Sequence, residues 1–253
     1  MQILTSVHNP RIRLWRSLSD RKGRASSGLF LVEGVKMTRE ALDSGFDVEA
    51  LLLREGSPVP GFFPDHLPVF LLPDSVFSAV CETKTPQGVA AVLHQRTLPI
   101  RGHRLIALDG VQDPGNVGTI LRTADAAGFE GALLSQSCAD VFSPRVVRAT
   151  MGSIYRIGME FPENLAASLR NFRELGYAVL SSQLDGDPFF DRTEFRPGYN
   201  RPLILVIGSE GNGVSPEVRA EATHRYRLPM RGGAESLNAA VAAGIMMYDL
   251  MRT

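Results

Sequence analysis

Cysteine is scarce in this chain. Cys81 and Cys138 are the two present in 253 residues, far apart, with no neighbouring histidine or cysteine at ligand spacing. That argues against a disulfide scaffold and against a metal site, and it fits a reducing compartment. Excess charge of one sign is also missing, because 27 Lys and Arg balance 27 Asp and Glu. A nucleic-acid surface must then be a local patch, not a property of the whole chain. No apolar run approaches the roughly 20 residues of a membrane span, and the stretch 1–8 has no apolar segment of signal-peptide length. Arg11, Arg13 and Arg16 mimic a mitochondrial presequence, but Asp20 and the folded-looking sequence beside them argue against one. These absences together predict a cytoplasmic protein. What is there is ordinary globular composition, 44% hydrophobic and 21% charged, in a length that suits one large domain or two modest ones.

Residues 1–27 form a basic arm in which Arg11, Arg13, Arg16, Arg21, Lys22 and Arg24 face a single acid, Asp20. Ile12, Trp15 and Leu18 recur at i, i+3 and i+6, which predicts a short amphipathic helix. It either docks its apolar stripe on the body or serves as a phosphate-contacting arm. Residues 28–96 alternate short elements: a strand over 29–34, a helix over 36–44 closed by Gly45, then strands over 48–54, 68–72 and 88–94. Residues 97–103, with Pro99 and Gly102, read as a linker. From 104 to 253 the strand candidates are nearly continuous apolar runs (105–108, 132–134, 178–180, 203–207), as in a parallel sheet covered on both faces. They alternate with helical patterns over 117–127, 144–151, 165–175, 216–222 and 236–251. That alternation is the mark of a doubly wound α/β domain.

Three glycine-rich segments fall at or near the carboxyl ends of predicted strands, where open α/β sheets bind ligands. The first runs from Leu108 to Arg122 and includes Asp113-Pro114-Gly115-Asn116-Val117-Gly118. Asn116 suits a helix N-cap, and Val117, Ile120, Leu121 and Ala124 make a buried stripe. Arg122 lies one turn beyond Gly118, on the side that can face a ligand. The second, Ile207-Gly208-Ser209-Glu210-Gly211-Asn212-Gly213, has its glycines in an order that is not the dinucleotide fingerprint. Ser215-Pro216 then opens a helix. The third is Leu228-Pro229-Met230 followed by Ser236-Leu237-Asn238. It leads into a small-sided helix with Leu237, Val241, Ile245 and Tyr248 on one face, suited to close packing in a core or across a dimer. Each segment alone has an ordinary structural explanation. Their recurrence together, in this order, is the signal.

On these residues the chain resembles the SpoU/TrmH branch of the SPOUT methyltransferases. Ser143-Pro144-Arg145-Val146-Val147-Arg148-Ala149-Thr150-Met151-Gly152-Ser153 is similar to the family's stretch between its first two motifs. Asn9-Pro10-Arg11-Ile12 and Phe30-Leu31-Val32-Glu33-Gly34 are similar to the L30e-like RNA-binding domain of ribosomal-RNA members. The resemblance implies an α/β fold whose C-terminal parallel-sheet domain, 104–253, carries a deep trefoil knot, preceded by a smaller L30e-like domain over 28–96. General topology rules would have argued against a knot. It also implies a homodimer through the C-terminal domain. S-adenosyl-L-methionine would contact Gly208, Leu228 and Leu237, with Ile207, Met230 and Ser236 nearby. Ser209 departs from the asparagine commoner there.

The activity so implied is transfer of a methyl group to a ribose 2′-hydroxyl, preferentially of ribosomal RNA, with transfer RNA as the alternative. Only RNA offers that hydroxyl. The resemblance assigns Arg122 as the residue acting on it. A free arginine stays protonated far above neutral pH, leaving a neutral fraction on the order of one in a million at pH 7. Clamping the target phosphate while polarising the hydroxyl is therefore the favoured role, and a literal base would require a dry site. Asn116, Glu210, Ser236 and Asn238 would orient the ribose, Arg122 and the loops. Arg11, Arg13, Arg16, Arg21, Lys22, Arg24 and Lys36 are the RNA-binding candidates. No metal is implied. Two competing classes are a non-catalytic RNA-binding protein on the same scaffold and a nucleotide-dependent oxidoreductase. The intact site set opposes the first, and the wrong glycine order opposes the second.

Overall fold

The computed structural model describes residues 1–195 and 201–251, so residues 196–200 and 252–253 of the C-terminal domain lie outside it. The chain forms two compact units, Met1–Arg96 with Asp140–Tyr155, and Thr97–Ala139 with Arg156–Thr253. A single boundary at 97–103 does not anticipate that 140–155 groups with the first unit.

The first unit is built on a mixed five-stranded sheet in the order β1 (Gln2–Ile3), β4 (Val69–Leu72), β3 (Val48–Arg54), β5 (Val89–His94) and β2 (Leu29–Glu33). The helices α1 (Pro10–Ser17), α2 (Arg21–Ser27), α3 (Val35–Asp43), α4 (Asp74–Val80) and α6 (Pro144–Thr150) belong to this unit. Asn9 caps α1 by accepting from the Arg11 amide at 2.9 Å, and Pro10 takes the first helical position. The predicted stripe is real: Ile12, Trp15 and Leu18 join Leu29, Leu52, Phe70 and Phe77 in one core. Trp15 meets the Phe70 ring edge-on at 5.2 Å. The basic segment is thus integral to this unit and not a detached arm.

The second unit is a six-stranded, all-parallel sheet: β11 (His224–Arg227), β9 (Ala178–Pro188), β10 (Leu203–Gly208), β6 (Arg104–Asp109), β7 (Gly131–Leu134) and β8 (Gly158–Glu160). Its helices are α5 (Pro114–Ala126), α7 (Leu165–Glu174), α8 (Pro216–Ala220) and α9 (Ala239–Leu250). Leu105, Ala107, Leu133, Val179, Ile204 and Val206 fill one face of the sheet against α7 and α8. Chain order reverses between β6 and β10, which pair in register from Leu203↔Arg104 to Gly208↔Asp109. Such a reversal opens a crevice at the strands' carboxyl ends. The first two glycine-rich motifs sit side by side there.

Two helix starts differ from the sequence reading. Asp113, not Asn116, caps α5: its Oδ1 accepts from the Asn116 amide at 2.8 Å, and Pro114 follows as the first helical residue. That pair starts the helix earlier and leaves the Asn116 side chain free for other work. Helix α9 begins at Ala239, so Ser236 and Leu237 stay in the preceding loop and Asn238 is the cap.

Candidate active site

A cavity of about 690 Å³ opens beyond β10 and β9. Its walls hold every residue expected at the cofactor: Ile207, Gly208, Leu228, Met230, Ser236 and Leu237. The second and third motifs therefore converge. The loop after β10 folds tightly on itself, with Ser209 and Gly213 exchanging backbone hydrogen bonds at 2.9 and 3.0 Å. A Cβ on Gly208 would collide with the Gly213 and Val214 backbone, and Gly213 sits at φ +66°. Glycine is a steric requirement at 208, and at 213 it supplies a left-handed backbone that side chains strain to adopt.

The first motif joins through hydrogen bonds. Asn116 Nδ2 donates to Glu210 Oε1 at 2.8 Å, and Asn238 Nδ2 donates to Asn116 Oδ1 at 2.9 Å. Asn238 Oδ1 accepts from the amides of Ala240 and Val241 at 2.9 and 3.2 Å, so one side chain caps α9 and ties it to α5. Burial pushes the Glu210 carboxyl up, but the bonds from Asn116 and from the backbones of Glu210, Gln112 and Asp113 outweigh it and hold the group below the usual carboxylate range. Below the loops, Asp109 accepts from the Ser215 amide at 2.7 Å and fixes the entry to α8.

Arg122 is outside the cavity lining. It stands exposed on α5, its side chain making no hydrogen bond or ion pair with any described residue. Next to it, Thr123 packs on Gly244 of α9, its Cγ2 lying 3.6 Å from where a Cβ would stand. The predicted α5 stripe, Val117, Ile120, Leu121 and Ala124, is fully buried. On α9 the buried residues are Ala239, Ala240, Ala243, Met246, Met247 and Leu250, while Val241, Ile245 and Tyr248 are exposed.

The sequence reading missed the far wall of the cavity. Ser182, Gln183, Leu184 and Asp185 of β9 line it, with Arg219 of α8, which ion-pairs with Asp185. The rule that ligands sit at strand carboxyl ends would have found the β9 residues had the strand been followed past Leu180.

The basic candidates divide. Arg11, Arg13, Arg16, Arg21, Lys22 and Lys36 are exposed, with Arg11 also lying over the Phe70 ring at 4.8 Å and Lys36 pairing with Glu40 at 3.7 Å. Arg24 is not available to RNA. It is 3% exposed, its Nη2 lies 2.7 Å from Asp140 Oδ2, and its Nη1 donates to the Leu18 and Ser19 carbonyls at 2.7 and 2.8 Å. Burial and saturated donors make it a structural clamp. Among the described residues no cluster of His, Cys, Asp and Glu fits a metal ion, and no helix is long and apolar enough to cross a membrane.

This architecture has known counterparts. The model of the SpoU rRNA methylase family matches residues 103–248, and that of the MRM3-like substrate-binding domain matches residues 9–91. The chain is 33% identical over 252 residues, covering 99% of both proteins, to the 23S rRNA (guanosine(2553)-2′-O)-methyltransferase RlmP of Bacillus subtilis. The AdoMet-bound rRNA methyltransferase of Sinorhizobium meliloti superposes with a TM-score of 0.86 at 32% identity, covering 98% of this chain and 97% of that one. The SpoU methyltransferase AviRb of Streptomyces viridochromogenes, in complex with the cofactor AdoMet, gives a TM-score of 0.85 at 27% identity over 96% of this chain and 97% of that one. With the family model spanning more than half of its length and the second and third motif loops gathered on one cavity, the chain belongs to the SpoU rRNA methylase family.

Proposed function

We propose that this protein methylates a ribose 2′-hydroxyl of ribosomal RNA with S-adenosylmethionine as donor. The observation that carries the reading is the convergence of the six expected cofactor residues on one cavity, tied to the first motif through Glu210, Asn116 and Asn238. The fit to the donor is chemical as well as spatial. The volume suits a nucleoside joined to an amino acid, and Ile207, Leu228, Met230 and Leu237 offer apolar walls beside the polar Ser236 and glycine backbone. When bound, S-adenosylmethionine supplies an electrophilic methyl on a sulfonium for in-line displacement by the ribose oxygen.

The chain's task is positioning. Gly208, Leu228 and Leu237 hold the donor, with Ile207, Met230 and Ser236 around it. Asn116, Glu210 and Asn238 lock the loops at fixed separation. Arg122 holds the phosphate beside the target ribose and polarises its hydroxyl. The exposed Val241, Ile245 and Tyr248 support a homodimer through this domain, since apolar residues aligned on one helix face suit burial against a second copy. Arg122, next to the α5–α9 contact, would then border the junction of two copies. The loops at 208–213 and 228–238, both on one cavity, are compatible with the family's trefoil knot. Residues 1–96 serve RNA recognition, and the protein works in the cytoplasm.

The test pairs calorimetry with methylation mapping of cellular RNA, with and without the gene. The chain binds S-adenosylmethionine, and the gene's loss removes a 2′-O-methyl mark from ribosomal RNA. Arg122→Ala abolishes methylation with donor affinity within a few-fold. No donor binding favours a non-catalytic RNA-binding protein, a lost mark on transfer RNA moves the substrate there, and a fully active Arg122→Ala removes that residue from the mechanism.

A further inference from the structure

Two carboxylates line the cavity of the second unit, and their partners differ. Glu210 is held by neutral amides, the side chain of Asn116 and the backbone of Gln112, so it keeps a full negative charge. Asp185 pairs with Arg219, the one cation among the described residues lining the cavity, and that pair has no net charge. The two acids also stand on opposite flanks of β10. Glu210 bonds Asn116 of α5, the helix that follows β6, whereas Asp185 belongs to β9, which pairs with β10 on its other side.

A bulge puts Asp185 there. Strand β9 pairs with β10 as far as Ser181, and with β11 through Ser181↔Arg225, after which the next pair is Asp187↔Tyr226. Residues 182–186 therefore oppose nothing on β11, and insertions of this kind re-aim side chains beside functional sites. Gly186 closes the bulge, because a Cβ there would lie 2.6 Å from the Tyr226 amide nitrogen. Leu184, 72% exposed, lines the cavity next to Asp185.

The donor carries its charge unevenly. Its amino-acid half is zwitterionic, its sulfonium holds the net positive charge, and its own ribose offers two neutral hydroxyls. A carboxylate without a cationic partner attracts the sulfonium. One already neutralised by a guanidinium draws no cation, yet its oxygens still accept from O–H donors. An acid near a strand's carboxyl end that holds a ribose hydroxyl is a recurring arrangement in doubly wound folds, and the aliphatic Leu184 suits the face of a base.

We infer that Asp185, fixed by Arg219, accepts hydrogen bonds from the ribose hydroxyls of S-adenosylmethionine, so that the adenosine half lies along the β9 bulge and the sulfonium toward Glu210. This rests on the proposed function, since it takes that donor as the cofactor.

Calorimetry on the full chain compares S-adenosylhomocysteine with its 2′,3′-dideoxy analogue, which lacks the diol, and S-adenosylmethionine is titrated alongside. The wild-type chain prefers the diol-bearing ligand about tenfold. In Asp185→Ala, and in Asp185→Ala/Arg219→Ala where the local net charge is unchanged, the two ligands bind with equal affinity. Because the ratio is taken within one protein, a loss of stability does not mimic this result. A preference that survives in either variant overturns the inference while leaving the proposed function standing. A loss shared equally by both ligands does the same, since it would place Asp185 at the amino-acid half or in the wall alone. So does a wild-type chain that binds the two ligands alike. A wild-type chain that binds neither S-adenosylmethionine nor S-adenosylhomocysteine overturns both.

Discussion

At the amino end, Arg24 is 3% exposed and meets Asp140 at 2.7 Å. Beside the cavity, Glu210 is exposed and meets the neutral amide of Asn116 at 2.8 Å. Both contacts join residues distant in sequence, and both hold elements at a set distance, yet their physics differs. A buried guanidinium has no water to replace a lost partner, so removing one member of its pair is strongly destabilising. An exposed carboxylate regains water when its partner goes, so its bond adds little to stability. The contrast separates polar contacts that build the body from those that tune the site.

The largest effect should come from the buried side. Arg24→Met leaves Asp140 and two carbonyls without their donor, and unfolding free energy falls by about 3 kcal/mol. Denaturant titration measures it, and a change under 1 kcal/mol would erase the distinction drawn above. Ile245→Glu places a charge on the exposed apolar face of α9. It weakens self-association on the order of 100-fold, read by sedimentation against concentration, and an unaltered dimer, or a wild-type monomer, rejects that face as the interface. The smallest effect belongs to Glu210→Gln, which lowers the methylation rate about fivefold to tenfold with little change in melting temperature. Because the folded-state Glu210 group titrates below its ordinary range, its contribution is present above the usual carboxylate pKa, about 4.3, and is lost as pH falls through the folded value. The stability gap between the two proteins should stay constant above about pH 4.3 and close as pH falls through the folded value. Parallel curves throughout contradict the assignment.

The second unit was the easier to read, and the reason is its sheet. Parallel strands buried on both faces appear as continuous apolar runs such as Leu105 to Leu108 and Leu203 to Ile207, whose register then sets two motifs side by side. Short strands carried too little pattern: Gly158–Glu160 and His224–Arg227 were not foreseen. On α9 apolar residues occur on every side, so periodicity could not tell the buried face from the exposed one. Arg24 was misplaced because a basic segment gives no hint that Asp140, 116 residues later, waits for one of its members. Asn116 was assigned a capping role that Asp113 performs, since either residue type can cap and only the backbone decides. The cavity's near walls were legible as motifs. Its far wall on β9 has no motif and is known only from the fold.

Asn238 leaves one last consequence. Its oxygen and its nitrogen answer to different elements, the oxygen to the first turn of α9 and the nitrogen to Asn116. Aspartate would preserve the former and forfeit the latter, while alanine forfeits both. The position therefore resists gradual drift: a neighbouring amino acid that satisfies half of the requirement still uncouples where the last helix begins from where the glycine-rich loops stand.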